Sequence, residues 1–160
     1  MIFVTSGSMS PFDRLFKIVD KAIEKGIIKD KVVGQIGESR YEPKNFEFKR
    51  FMDKESYDEC VSRAQLVIGH AGIGVIIQAL KSKVPLLALP RRAKFGECVN
   101  DHQVSTVKKF EDLGHLLSFE EDNLEERLKL VIDFVPKQRT PNIAGVGKRV
   151  AEFLYANSAK

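Results

Sequence analysis

The sequence lacks the long apolar run that a membrane span requires. Its longest apolar stretches, such as residues 75–77 and 85–89, are far shorter than the roughly 20 residues needed to cross a bilayer. The first five residues are apolar, but they are followed by no long hydrophobic region or small-residue cleavage site and preceded by no basic leader, so they predict a strand rather than a signal peptide. We therefore expect a cytoplasmic protein.

Cysteine is scarce, and positive charge is not concentrated anywhere. Cys60 and Cys98 have neither CxxC spacing nor a nearby histidine pattern, and a structural zinc site needs about four ligands, so we expect reduced thiols and no metal. The net charge is +4, with 26 basic residues scattered among 22 acidic ones. This mild excess suits an anionic ligand or an anionic membrane surface. Without an RNP-like motif or a recognition helix, we expect no nucleic-acid partner.

Short apolar runs alternate with amphipathic stretches along the 160 residues, which indicates one α/β domain over residues 1–160 with a doubly wound, mostly parallel sheet. No repeat or low-complexity linker divides the chain. The predicted strands are 2–5, 31–36, 46–48, 66–69, 85–89 and 115–118, and the predicted helices are 11–25, 56–64, 73–81, 101–113, 124–134 and 142–156.

Local signals refine three of these helices. Ser10 is a plausible N-cap of the first helix, with Pro11 in its first position. Either Asn100 or Asp101 caps the fourth. The apolar face of the third helix is predicted to consist of four side chains at helical spacing, which are Ile73, Ile76, Ile77 and Leu80.

The loop Gly69-His70-Ala71-Gly72-Ile73-Gly74 is the strongest candidate site. In open α/β sheets, ligands bind beyond the carboxyl ends of the strands, and this loop leaves the fourth strand there. Glycines let the backbone approach a ligand, and a helix N-terminus offers free N–H groups to a phosphate, to which His70 adds a ring N–H. A tight turn in which a backbone carbonyl satisfies His70 is an equally good interpretation of the loop alone.

Two further loops and one helical side chain carry weaker signals. The segment 5–8 suits either a second phosphate contact or a plain turn. Gln103, in the segment 100–103, has the donors and acceptors to read sugar hydroxyls. The preceding loop with Arg91, Arg92 and Lys94 is either functional or a solvated surface. Gln78 lies one turn into the third helix, where a ribose or merely solvent would face it.

Taken together, these residues resemble the C-terminal, donor-binding domain of UDP-sugar-dependent GT-B glycosyltransferases of the family 28 type. The likeness rests on the run from Gly69 to Leu80, followed by Pro85, Pro90 and then Asp101-His102-Gln103, and it extends to the N-terminal segment 2–15. It is strongest to stand-alone versions of this domain, which form one half of two-chain enzymes of dolichol-linked glycan and bacterial exopolysaccharide synthesis. The resemblance implies a Rossmann-like parallel sheet flanked by helices, which is half of a GT-B fold.

The resemblance also assigns roles to residues. The donor diphosphate would contact Ser6, Gly7, Ser8, His70, Ala71, Gly72, Ile73, Gly74 and Val75. His70 would be the catalytic residue of this half, Gly37 would lie against the uracil, and His102 with Gln103 would read the sugar. Gln78 stands where the family usually has a ribose-binding glutamate, and His102 replaces a more usual acidic or amide residue. The departure at Gln78 implies weaker donor binding or a distinct subgroup, and the departure at His102 leaves the identity of the sugar open.

The implied function is that of a UDP-sugar-binding catalytic subunit that transfers a hexose or N-acetylhexosamine to a polyprenyl-diphosphate-linked acceptor. It would need no cofactor or metal and would work with a membrane-associated partner subunit at the cytosolic face of the membrane. The apolar stripe of the last helix, from Ile143 to Leu154, is the expected docking segment, and the isolated chain would be a possible homodimer. The alternatives are a non-catalytic accessory subunit and a generic nucleotide-binding domain.

Overall fold

A six-stranded parallel sheet forms the centre of the molecule. The structure, a computed structural model, describes residues 1–138. The strands are β1 (Ile2–Thr5), β2 (Val32–Gln35), β3 (Glu47–Lys49), β4 (Leu66–His70), β5 (Leu86–Leu89) and β6 (Leu117–Ser118). They lie side by side in the order β3-β2-β1-β4-β5-β6, and every neighbouring pair is parallel. The predicted fold class is therefore confirmed.

Within residues 1–138, four α-helices lie between strands of the sheet and a fifth follows β6. They are α1 (Asp13–Glu24), α2 (Lys54–Arg63), α3 (Ile73–Lys81), α4 (His102–Asp112) and α5 (Leu124–Val131), and a 3-10 turn at Ala93–Phe95 follows β5. No helix of this part of the chain is long and apolar enough to cross a membrane. The predicted last helix, with its docking stripe from Ile143 to Leu154, lies outside the described residues.

The sheet separates two hydrophobic cores. Alternate residues of a strand point to opposite faces, so Ile2 and Val4 pack against α1 and α5, whereas Phe3 packs against α2, α3 and α4. Burying apolar area stabilises a fold by roughly 25 cal/mol per Å². Both faces of β1, β4 and β5 are buried in this way, which explains why these strands consist almost entirely of apolar residues.

The predicted start of the first helix is wrong. The helix begins at Asp13, with Phe12 in the N-cap position and no side-chain cap, rather than at Pro11 after a Ser10 cap. The reason is tertiary: the Phe12 N–H donates to the Ser39 hydroxyl at 2.8 Å, and the Ser10 carbonyl accepts from Arg91. These contacts hold the segment before Asp13 in a non-helical path.

The predicted buried face of α3 is also partly wrong. Its buried residues are Val75, Ile76, Ala79 and Leu80, whereas Ile73 is half exposed. The helix is rotated because Val75 and Ala79 pack onto the sheet, and Ile73 lies at the open end of the helix beyond the carboxyl ends of the strands. At α4, Asp101 is the N-cap residue by position, but its side chain accepts from the Ala93 N–H instead of capping the helix.

Candidate functional site

The strand order reverses between β1 and β4, and this is where the candidate site lies. From β1 the chain proceeds outward through β2 to β3 on one side, and through β4 to β6 on the other. The loops that leave the carboxyl ends of β1 and β4 therefore run to opposite faces and open a crevice between them. Thr5, the last residue of β1, pairs with Gly69, so the segments 6–10 and 70–72 begin next to each other.

The imidazole ring of His70 lies between two glycines of these loops. A Cβ atom added to Gly72 would stand 2.1 Å from His70 Nε2, and one added to Gly7 would stand 2.6 Å from His70 Cε1. Neither distance is possible for real atoms, so both positions need glycine for the ring to lie where it does. Gly7 has a second requirement, because its φ of +72° is in the left-handed region.

His70 is an uncharged side chain with a buried, unused ring nitrogen. Its Nδ1 atom is buried and has no hydrogen-bond partner within residues 1–138, although the Thr5 carbonyl lies near the ring. Burial is the main cause that lowers the pKa of His70 to about 4, and the positive charge of Arg91 adds to this effect. The interpretation in which a backbone carbonyl satisfies His70 stays a prediction, because the Thr5 carbonyl lies beside the ring and acts to raise its pKa.

The N-terminus of α3 is open beside this ring. Its N-cap is Gly72, which has no side chain to cap the helix, and the first turn holds no acidic residue. The first N–H group to find an acceptor is that of Ile76, which donates to the Gly72 carbonyl, so the N–H groups of Ile73, Gly74 and Val75 have none in the described chain. A Cβ atom added to Gly74 would meet nothing within 4 Å beyond its own helix. Such a helix end attracts anions.

The loop after β2 supports the loop after β1. The Ser6 hydroxyl donates to the Ile36 carbonyl at 3.1 Å, and a Cβ atom on Gly37 would stand 2.9 Å from the Gly7 carbonyl oxygen. Gly37 has a φ of +54°. It therefore lies directly against the predicted phosphate loop, while Ser8 is exposed at the tip of that loop.

Arg91, which the sequence alone does not distinguish from a solvated surface charge, is a buried member of the site. Its side chain is 5% exposed, and its Nη2 donates to the carbonyls of Ser6 at 3.0 Å and Ser10 at 2.7 Å. Its backbone N–H donates to Gln103 Oε1 at 3.1 Å. Its position in the sequence is the one feature that indicates a role in the site, since Arg91 follows a fully buried strand and Pro90 at the carboxyl end of the sheet.

The remaining predicted residues lie around this centre. Gln78 Nε2 donates to Asp58 Oδ1 at 2.9 Å, so its amide is tied to α2 and its Oε1 is left to accept other donors. His102 is exposed at the start of α4. Contacts thus join His70, Gly7, Ser6, Arg91 and Gln103 in one continuous group. Within residues 1–138, no three His, Cys, Asp or Glu side chains lie close enough together to hold a metal ion.

The family of this chain is identified by its similarity to known proteins. The chain matches the glycosyltransferase family 28 C-terminal domain over residues 1–153. It belongs to that family. The human UDP-N-acetylglucosamine transferase subunit ALG13 is 31% identical over 124 residues, which cover 72% of this chain but 10% of the human protein. The chain therefore spans about a tenth of the length of that relative.

Solved structures share the fold of this family 28 domain at low sequence identity. The solution structure of ALG13 has a TM-score of 0.57 at 18% identity and covers 96% of each chain. The Os79 protein from O. sativa, crystallised with UDP, has a TM-score of 0.61 at 16% identity over 82% of this chain and 31% of its own. The same fold thus also makes up about a third of a larger protein.

Proposed function

We propose that this chain is the UDP-sugar-binding catalytic subunit of a two-component glycosyltransferase, which transfers a hexose or N-acetylhexosamine to a polyprenyl-diphosphate-linked acceptor. The observation that carries the proposal is the His70 ring, held between Gly7 and Gly72 at the open N-terminus of α3. Family membership and the relative named as a UDP-N-acetylglucosamine transferase subunit support the same function.

The site binds the donor diphosphate through fixed dipoles. The free N–H groups of Ile73, Gly74 and Val75 point out of the first turn of α3, where the helix dipole favours negative charge. His70, which is neutral above a pKa of about 4, donates one ring N–H to a phosphate oxygen. Donors of this kind stabilise the charge that develops on UDP as the sugar leaves, because they need no reorganisation during the reaction.

The acceptor is activated elsewhere. A side chain with a pKa of about 4 is a weak base near neutral pH, so His70 does not deprotonate the acceptor in this proposal. That base belongs to the membrane-associated partner, which carries the acceptor-binding half and keeps the complex at the cytosolic face of the membrane. In this half, Gln78 Oε1 accepts from ribose hydroxyls, Gly37 borders the uracil, and His102 with Gln103 contacts the sugar.

Calorimetric titration of the purified chain with UDP, UDP-GlcNAc, UDP-glucose and UDP-galactose tests the donor site. We expect saturable binding that disappears in His70→Ala and persists in the matched control His115→Ala. His115 is a suitable control because it precedes β6 at the amino end of the sheet, where its Nδ1 contacts the Lys137 carbonyl. Equal binding by wild type and His70→Ala would contradict the site, and absence of binding calls for the same titration on the co-expressed complex.

A non-catalytic accessory role is the second candidate, and the Gln78–Asp58 hydrogen bond favours it. This bond occupies the amide nitrogen of Gln78, which is the residue at the predicted ribose-binding position. Turnover by the assembled complex separates the two roles. Loss of turnover in His70→Ala with intact assembly supports the catalytic role, whereas unchanged turnover supports the accessory one.

A further inference from the structure

Arg91 is a buried arginine without a direct carboxylate partner in the described residues, unlike Arg14 and Arg92. Arg14 forms a bidentate ion pair with Glu97, at 2.8 and 2.9 Å, and Arg92 pairs with Glu120. Arg91 is 5% exposed, yet no carboxylate within residues 1–138 lies within ion-pair distance of it, and its Nε has no hydrogen-bond partner there. Glu97 acts on the charge of Arg91 only from beyond ion-pair distance. Burying a charge without a direct ion pair is costly, so a fold retains one when the charge or its donors are used.

The hydrogen-bond donors of Arg91 contact two separate parts of the site, the loop after β1 and Gln103 in α4. Its Nη2 holds the carbonyls of Ser6 and Ser10, which are the two ends of the loop after β1. Its backbone N–H occupies Gln103 Oε1 and so orients the amide group of Gln103. The guanidinium also lies over the Phe12 ring, with 5.0 Å between Cζ and the ring centroid, which fixes its plane.

We propose that Arg91 is a positioning residue, which sets the loop Ser6–Ser10 and the amide of Gln103 in the arrangement that an anionic donor requires. For the identity of that donor, this inference rests on the proposed function. Arg91 acts through the residues that it holds. Gly7, inside the loop, contacts the His70 ring, so a displaced loop would also displace the ring.

The charge of Arg91 has an effect separate from its hydrogen bonds. Among the charged groups of the described chain, Arg91 is the one whose field reaches His70, and it lowers the pKa of that ring in addition to burial. The Thr5 carbonyl acts in the opposite direction. A neutral replacement of Arg91 removes both functions, whereas lysine keeps the charge but cannot present a planar fork to two carbonyls.

Three variants test the inference: Arg91→Met, Arg91→Lys and the control Arg92→Met, which changes the neighbouring side chain. In the ligand-free chain, we expect faster hydrogen exchange of residues 7–10 in both Arg91 variants and an unchanged rate in the control. NMR titration of His70 should give a higher midpoint in Arg91→Met and a nearly unchanged one in Arg91→Lys. UDP should bind about tenfold more weakly, or worse, to both Arg91 variants.

Failure of the positioning role of Arg91 and failure of the proposed function give different results in these experiments. If Arg91→Lys exchanges and binds UDP as the wild type does, Arg91 contributes only charge and the positioning role is overturned. If the wild type binds no UDP, alone or with its partner, the proposed function fails, while the exchange rates of residues 7–10 still decide the role of Arg91. If Arg91→Met does not fold, Arg91→Lys provides the decision.

Discussion

At the scale of single residues, the site depends on the absence of side chains as much as on their presence. The imidazole of His70 occupies the volume in which Gly7 and Gly72 would otherwise carry Cβ atoms. Gly74, two residues further along, has nothing within 4 Å of its missing Cβ. Glycines of one site therefore have different physical functions: Gly7 and Gly72 accommodate a protein ring, and Gly74 leaves space beside the helix N-terminus.

A matched pair of substitutions separates these functions. Gly72→Ala should displace the His70 ring in the free protein, because its Cβ would stand 2.1 Å from Nε2. Gly74→Ala should leave the free protein unchanged and even favour the helix by about 1 kcal/mol. We expect the His70 NMR signals to move only in Gly72→Ala, and UDP affinity to fall in both variants.

The result that would contradict this assignment is specific. Full UDP affinity in Gly74→Ala would mean that the diphosphate does not approach the first turn of α3. Unchanged His70 signals in Gly72→Ala would mean that the ring does not lie against that glycine.

At the scale of elements, buried polar side chains attach α1 to the loops around the site. Asp20 is 3% exposed and accepts from the Tyr41 hydroxyl at 2.6 Å and from the backbone N–H groups of Lys44 and Asn45. Burial acts to raise the pKa of Asp20, but these hydrogen bonds outweigh it and the pKa is lowered. The Asp20 bond in turn raises the pKa of Tyr41 to about 12. This cluster holds the segment between β2 and β3 against α1.

Removing the charge of Asp20 should therefore weaken the whole domain. We expect Asp20→Asn to lower the free energy of unfolding by about 2–4 kcal/mol, because the replacement amide places a donor where N–H donors converge. Urea unfolding measures the loss, and Asp30→Asn, at an exposed position before β2, is the control and should have almost no effect. A change below about 0.5 kcal/mol in Asp20→Asn would show that the cluster does not stabilise the fold.

Two arginines attach the loop after β5 to neighbouring elements, which are the loop after β1 and α1. Arg91 extends from the loop after β5 to the carbonyls of the loop after β1, and Arg14 extends from α1 to the Pro90 carbonyl and to Glu97. The Phe12 ring lies beneath both guanidinium groups. The crevice at the point where the strand order reverses is thus held at a defined width before any ligand binds.

At the scale of the whole molecule, the protonation of one buried ring contributes to global stability. The pKa of His70 is about 4 in the folded chain and about 6.5 when the ring is exposed on unfolding. Between these values the unfolded chain binds more protons than the folded chain. The contribution of neutral His70 to stability is therefore fully present above pH 6.5 and is lost as the pH falls toward 4. The loss approaches about 3 kcal/mol, because one pKa unit corresponds to about 1.4 kcal/mol.

Urea unfolding of the wild type and of His70→Gln at several pH values measures this contribution. Carboxylates also titrate below pH 5, so the difference between the two proteins is the relevant quantity rather than either curve. We expect that difference to change by up to about 3 kcal/mol between pH 7 and pH 4, in favour of the variant at low pH. A difference that does not vary with pH would show that His70 titrates normally.

Much of this architecture was predictable from the chain alone. The order of apolar runs and amphipathic segments determines a parallel α/β sheet, because strands buried on both faces are continuously apolar and helices repeat at 3.6 residues. The glycines around His70 marked the loop after β4 as the candidate site for the same local reason, since only glycine permits such close approach. Docking through residues 143–154 stays a prediction, as do the ribose, uracil and sugar contacts.

The rest depended on contacts between residues far apart in the chain. The start of α1 is decided by Ser39 and Arg91, which compete with a local cap at Ser10, and the rotation of α3 is decided by the sheet on which it packs. Arg91 could not be distinguished from a solvated charge until Ser6, Ser10 and Gln103 were placed around it. Local pattern determines which elements form, whereas hydrogen-bond partners of buried polar groups are chosen only when the tertiary structure excludes water from them.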